Sequence, residues 1–317
     1  MTHLIEQTGI NINAAERTGL WELVGNTPLV PIKNLFAGRI SGEVDIYAKA
    51  EWFNPSGSVK DRPAAAILEQ ARKSGALADG RIFLDSTSGN MGIAYATLGA
   101  TLGIPIELTI PSNATPERLA ILRSFGVIVT LTDPLEGSEG AHEVALGMAA
   151  NHPDRYHYAD QYSNPSNWQA HYASTGPEIF EQTRGSVTHF VAGMGTTGTI
   201  TGTGRYLKEQ NPDIRIVGVQ PDGPFHGLEG LKHLPSTPTP AIFDPSVVDE
   251  VRHIATEPAY KMVRELARVE GLFVGISAAA AILAAFEVAR DLGEGTLVVL
   301  LPDSGAKYLS QPFWGQE

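Results

Sequence analysis

From Ile46 onward the sequence alternates between short β-branched, apolar runs and longer stretches with helical spacing, and this rhythm limits the fold more than any other feature. Strand-like runs are expected at Ile46–Phe53, Arg81–Asp85, Ile104–Ile110, Val127–Thr132, Tyr156–Asp160, Val187–Ala192, Ile214–Gln220, Val248–Ile254 and Thr296–Leu301. Helical patterns lie between most of them. Thr115-Pro116-Glu117 reads as an N-cap followed by proline at the first helical position, and Glu257–Glu270 reads as a helix closed by Gly271. Strand followed by helix, repeated, predicts an α/β fold whose mostly parallel, twisted sheets are covered by helices. A chain of 317 residues exceeds a single compact core, so two lobes are expected. The smaller lobe is placed at 46–155 and the larger at 1–45 plus 156–317, with the polar residues 1–19 as an arm lying on the body or on a second subunit.

Composition removes several function classes. The net charge of −12, with no basic block against it, argues against a general nucleic-acid binder and gives no support to binding an anionic membrane. With no cysteine there is no disulfide, no thiolate-held metal and no thiol nucleophile. The nine histidines show no metal-ligand spacing, so no metal is expected. No Gly-x-Ser-x-Gly elbow is present. The start, Met1-Thr2-His3-Leu4-Ile5, has no basic segment followed by an apolar run, and a cytoplasmic protein is expected.

In parallel α/β folds, ligands bind outside the carboxyl ends of the strands, so the polar turns that follow strands carry the chemistry. The first is Asn54-Pro55-Ser56-Gly57-Ser58-Val59-Lys60-Asp61-Arg62-Pro63. Proline is tolerated in a first helical turn, so a helix should begin close to Lys60. An amine held at a helix N-terminus loses its proton more readily than a free one, and an uncharged amine is what Schiff-base chemistry needs. The second turn is Ser86-Thr87-Ser88-Gly89-Asn90-Met91-Gly92, whose hydroxyls and backbone N–H groups suit a carboxylate or phosphate, or equally a plain cap. The third, Gly193-Met194-Gly195-Thr196-Thr197-Gly198-Thr199, fits a monophosphate cradle better than a dinucleotide fingerprint, because no acidic residue closes the next strand at Gln220. In the fourth, Gly275-Ile276-Ser277, the serine is either an N-cap or a hydroxyl directed at a ligand, and the cap is favoured. Three polar strand–helix turns and one lysine point to a phosphate-bearing carbonyl cofactor, of which pyridoxal phosphate is the obvious one.

Taken together, these stretches resemble the cysteine synthase (O-acetylserine sulfhydrylase) family of fold type II pyridoxal-phosphate enzymes, along the chain from Gly25-Asn26-Thr27-Pro28-Leu29 to Lys307-Tyr308-Leu309-Ser310. The resemblance implies that Lys60 is the Schiff-base lysine and that Gly195, Thr196, Thr197, Gly198 and Thr199 hold the phosphate. It implies that Ser277 contacts the pyridine nitrogen and that Asn90 touches the ring hydroxyl. Thr87, Ser88, Asn90 and Met91 would form the substrate loop, with Gln161 helping to hold the substrate carboxylate. The implied reaction is β-replacement on an activated L-serine, O-acetylserine foremost, by sulfide or another sulfur donor to give L-cysteine in a homodimer. The rivals are condensation of serine with homocysteine, a non-catalytic binding subunit, serine or threonine deamination and a nicotinamide-dependent dehydrogenase. Met91 stands where many relatives have Thr, and Thr197 where Gly is frequent. The short segment after Gln220 is more like the B-type synthases, and its His226 and Lys232 are read as solvated rather than as partners of an anionic acceptor.

Overall fold

The computed structural model describes residues 19–87 and 89–315. The proposed N-terminal arm therefore lies outside the described residues, as does Ser88. In chain order, β1 (Leu29–Pro31) and β2 (Glu43–Ala50) precede α1 (Asp61–Lys73), β3 (Ile82–Ser86), α2 (Asn90–Ala100) and β4 (Ile106–Pro111). Then come α3 (Pro116–Ser124), β5 (Ile128–Thr132), α4 (Gly137–Asn151), β6 (Tyr156–Tyr158) and α5 (Ser166–Ala170). A single π-helical turn, His171–Thr175, joins α5 to α6 (Gly176–Gln182). The chain continues with β7 (Val187–Gly193), α7 (Gly198–Gln210), β8 (Arg215–Pro221), β9 (Glu250–Ile254), α8 (Thr256–Val269), α9 (Ile276–Asp291) and β10 (Glu294–Leu301). No helix among the described residues is long and apolar enough to cross a membrane.

All the expected strands form, with two instructive changes. The run from Ile46 leaves the strand after Ala50 and turns through a 3-10 helix, Glu51–Phe53. β6 stops at Tyr158, two residues short of Asp160, whose φ of 45° no strand can accommodate.

The described residues divide into two units, one holding 19–24 with Ala64–Gln161, the other Gly25–Pro63 and 162–315. These limits differ from the expected 46 and 155. Residues 46–63 go with the larger unit because β2 pairs in parallel with β10 along eight positions, from Glu43 opposite Glu294 to Ala50 opposite Leu301. Apolar strand content alone does not say which sheet a strand joins.

The larger unit is built on a six-stranded sheet in the order β1-β2-β10-β7-β8-β9, parallel except for β1. Its two faces are read directly from β10: Leu297, Val299 and Leu301 lie in one core and Val298 and Leu300 in the other, as a period of two requires. The first core takes the alanines of α9, Ala278 to Ala281, whose small side chains admit the helix close to the sheet, and the second takes Ile200 and Leu207 of α7. The smaller unit has a four-stranded parallel sheet, β5-β4-β3-β6. α2 is buried along nearly its whole length in that unit's core, which explains why it lacks a polar face. In both sheets the parallel strands end at one edge, and the polar turns singled out in the sequence follow those ends.

Candidate active site

In the larger unit, the turn between β2 and α1 is fixed from several directions. Gly57 adopts a φ of +79°, and the Asp61 carboxylate accepts from Ser56 N at 2.8 Å and Ser56 Oγ at 2.5 Å, closing the turn at the head of α1. Val59 N donates to Pro302 O beyond β10, and Lys307 Nζ donates to the carbonyls of Ser56 and Gly57. Arg62, one residue into α1, is buried and donates to Glu51, Glu178, Ser174 and Thr27. Its planar fork is thereby fully spent.

Lys60 lies inside this frame, and its amine makes no hydrogen bond to any described residue. The contrast with its neighbours is sharp. Lys49 Nζ is bound by Thr27 O, Glu178 and Gln182, and Lys307 Nζ by two carbonyls. Burial of the Lys60 amine, only partly offset by the Asp303 carboxylate, pulls it from the ordinary 10.5 to about 8. The helix start was expected to lower this group; desolvation is what does so. A desolvated amine with no committed partner is a nucleophile and a base in waiting.

β7 ends in the glycine-rich loop, where space is short. A Cβ at Gly195 would lie 2.4 Å from Gly230 O, and one at Gly198 would lie 2.0 Å from Asn167 Oδ1. Thr197 occupies the left-handed region at φ +68°, ψ −2°, unusual for a β-branched residue and a conformation that glycine takes without strain. No side chain caps α7, so the N–H donors of its first turn point out of the helix unspent. Aligned with the helix dipole, they form an anion cradle.

Ser277 is not the N-cap of α9. That position is Gly275, and the serine is the second helical residue, buried, with its Oγ about 4.0 Å from where a Cβ on Gly230 would stand. The cap reading fails, and the hydroxyl is left to face the segment that roofs Gly195.

In the smaller unit, the loop after β3 is held by Thr87, whose Oγ1 accepts from Gly89 N at 3.1 Å and Gly92 N at 3.2 Å. Thr87 is therefore a loop organiser. Asn90 opens α2 and stays half-buried. Met91 is 2 % exposed and packs into the apolar core, so what it offers a ligand is its backbone N–H. Gln161, after β6, donates from Nε2 to Ser86 O at 2.6 Å, which ties the two strand-end loops together. Beneath them, Asp85 accepts from Tyr95 Oη at 2.9 Å and from Ser86 N, and burial raises its carboxyl to about 7.

A sequence model of the pyridoxal-phosphate-dependent enzymes matches residues 20–303. The chain belongs to that family. Among its relatives, the cysteine synthase of Aquifex aeolicus is 50 % identical over 298 residues, covering 93 % of this chain and 91 % of the relative. The cysteine synthase B of Salmonella typhimurium is 42 % identical, covering 94 % and 96 %. Among solved structures, a cysteine synthase of Entamoeba histolytica superposes with a TM-score of 0.89 at 35 % identity, covering 96 % of this chain and 92 % of that one.

The family's cofactor is pyridoxal 5′-phosphate, and the larger unit fits it. An anion cradle into which no side chain can be added without collision, an uncommitted amine and a buried hydroxyl all belong to that one unit. Sequence reasoning missed the residues behind these groups: Arg62, Asp61, Lys307, Asn167 and His171. Local patterns do not mark them, since their partners are up to 251 positions away. An arginine in the first turn of a helix, where its charge opposes the helix dipole, was the one available signal. Lys232, read as solvated, is buried with its ammonium 4.7 Å above the Tyr162 ring.

Proposed function

We propose that the protein is a cysteine synthase, replacing the β-substituent of an activated L-serine, O-acetylserine foremost, with sulfide to give L-cysteine. The observation that carries this reading is the Lys60 amine, desolvated and uncommitted, in a chain that aligns along nearly its whole length with cysteine synthases. When bound, the cofactor supplies a carbonyl for the amino group and an electron sink for the α-carbon. Gly195, Thr196, Thr197, Gly198 and Thr199 hold its phosphate, and Asn90 meets its ring hydroxyl. Ser277 meets its ring nitrogen without being acidic enough to keep that nitrogen protonated, which favours elimination at Cβ over long-lived charge at Cα. Thr87, Ser88, the Met91 backbone and Gln161 hold the substrate carboxylate. Lys60 takes the α-proton onto Nζ, acetate leaves Cβ with the electrons of the C–O bond, hydrosulfide adds to Cβ, and Lys60 returns the proton to Cα. A cytoplasmic homodimer completes the reading.

The experiment follows the visible absorption of the purified protein on adding O-acetylserine and then sulfide. The expected outcome is a visible band that changes with O-acetylserine and returns with sulfide as cysteine appears. A band that O-acetylserine leaves unmoved shifts the substrate to O-phosphoserine, or to serine with homocysteine. Absence of any band after supplying the cofactor would sink the proposal. Light scattering on the eluting protein checks the dimer.

A further inference from the structure

Two carboxylates stand directly before the strand-end loops of the smaller unit, and the proposed reaction uses neither. Asp85, on β3, is fully buried and lies two residues before Thr87. Asp160 precedes Gln161 and turns the chain in the left-handed region at φ 45°. Asp85 accepts from Ser86 N at 2.8 Å, from Tyr95 Oη at 2.9 Å and from the backbone N–H of Gln161, so it grips both loops from below. Asp160 Oδ1 is buried with no hydrogen-bond donor among the described residues, and the charge of Asp160 acts against that of Asp85.

The remaining neighbours do not neutralise Asp85. Leu108 of β4 lies opposite it, and α2 offers the Tyr95 hydroxyl. On β6, His157 packs on Phe83, while Tyr158, bonded to His142 of α4 at 2.8 Å, acts on Tyr95. On α3 the charged group toward the loop is Arg118, packed against Gly89. Burial raises the Asp85 carboxyl to about 7 against the pull of its three donors, so near neutral pH it is half ionised.

A ligand carboxylate on these loops brings a third negative charge to the same place. Thr87 and Asp85 are two residues apart, a span of at most about 7 Å between Cα atoms, and the Gln161 backbone bonds Asp85 directly. At such a range like charges inside a protein move a pKa by about one unit. One proton on Asp85 relieves the repulsion. The protonated group keeps an acceptor for Ser86 N, and the Tyr95 hydroxyl can turn to accept from it.

We propose that Asp85 is a proton-linked partner of the substrate carboxylate: as the loops of Thr87 and Gln161 take up an amino-acid carboxylate, Asp85 takes a proton from solvent, and the site exchanges one negative charge for another instead of adding them. This rests on the reading of these loops as the carboxylate site.

The test uses holoenzyme and L-alanine, which has the carboxylate and the amine but no β-leaving group. Proton uptake is read by titration calorimetry in two buffers of different ionisation enthalpy, as wild type minus Asp85→Asn, so that protons moved by the amine and the cofactor cancel. The expected difference is about half a proton per site near pH 7.5 and none at about pH 5.5. By reciprocity the two proteins bind L-alanine alike at about pH 5.5, and wild type binds about tenfold more weakly by about pH 9. Asp160→Asn should lower the pH of that transition by removing a like charge, and Tyr95→Phe should raise it by removing a donor to the ionised form. Infrared difference spectra, bound minus free, should gain a carboxylic-acid carbonyl band that Asp85→Asn lacks. Should Asp85→Asn not fold, the wild-type spectrum decides, and the absence of that band overturns the proposal. Proton uptake that survives Asp85→Asn belongs to another group, such as His142, and overturns it as well. Holoenzyme that binds no L-alanine overturns the reading of the loops; binding with no proton uptake overturns this inference alone.

Discussion

Arg62 and Glu178 meet in a two-pronged ion pair, Nη1 to Oε1 and Nη2 to Oε2 each at 2.7 Å, two residues beyond the uncommitted amine of Lys60. Glu51 takes the other edge of the same guanidinium, and Lys49 shares Glu178. The loop that carries Lys60 is thus anchored at its helical end to α6, and the anchor consumes Arg62 and Lys49 while leaving Lys60 unbonded. Arg62, Glu178, Glu51 and Lys49 are paired among themselves, and the one carboxylate that acts on the Lys60 amine, Asp303, attracts it without a hydrogen bond.

That anchor predicts a stability loss. Arg62→Met leaves the buried carboxylate of Glu51 and the half-buried one of Glu178 facing an apolar side chain and should cost about 3–5 kcal/mol, measured as the denaturant midpoint of the apoprotein. Arg62→Lys should recover little, because a point charge cannot bond two carboxylates edge-on. Burial alone would raise Glu178, but Arg62 and Lys49 outweigh it and hold the carboxyl at about 2 against an ordinary 4.5. The pair's contribution is then complete above about pH 4.5 and lost as pH falls toward 2. Wild type and Glu178→Gln should converge in stability across that window and diverge above it.

Lys60 predicts the opposite sign. The folded protein releases this proton near pH 8 and the unfolded chain near 10.5. Below pH 8 the folded state therefore carries the full penalty of a desolvated ammonium, and above 10.5 none of it. Lys60→Met apoprotein should be more stable than wild type at pH 7 by about 1–3 kcal/mol, with the gain shrinking between pH 8 and 10.5. It should also form no visible band with pyridoxal phosphate. A Lys60→Met protein no more stable than wild type at neutral pH would mean that the amine is solvated.

Thr197 holds strain that glycine would release. A β-branched residue in the left-handed region costs roughly 1–2 kcal/mol, which exceeds the backbone entropy that glycine adds. Thr197→Gly should leave the apoprotein as stable as wild type or slightly more so. Thr199→Gly, at the second position of α7, also removes the hydroxyl that meets His171 and should lose about 1 kcal/mol. Equal losses at the two positions in chemical denaturation would contradict the strain.

Gly198→Ala drives a methyl group into Asn167 Oδ1, 2.0 Å from the added carbon. Asn167 must move, and with it the donor to Thr196 Oγ1. Affinity for pyridoxal phosphate should fall at least about tenfold, the worth of one to two oriented hydrogen bonds. Gly223→Ala, with open space around it, serves as the control and should bind as wild type does.

The sequence by itself determined the class of fold, the helix start beside Lys60 and the polar turns at strand ends, because each follows from local rules: a period of two or 3.6, proline's fixed φ, glycine's freedom. It determined the family too, since several turns in a fixed order are far more specific than any one. What it did not reveal follows from pairings remote in sequence. The strand from Glu43 joins the larger unit because β10, some 250 residues later, supplies eight partners in register. Ser277 read as a cap and lies inside the helix, because Gly275 already turns the chain against Asp303. Lys232 read as solvated and is buried over Tyr162. Tertiary structure alone decided which lysine stays uncommitted. The sequence placed Lys60 at a helix start, but only packing gives Lys49 and Lys307 partners and leaves Lys60 desolvated and free to react.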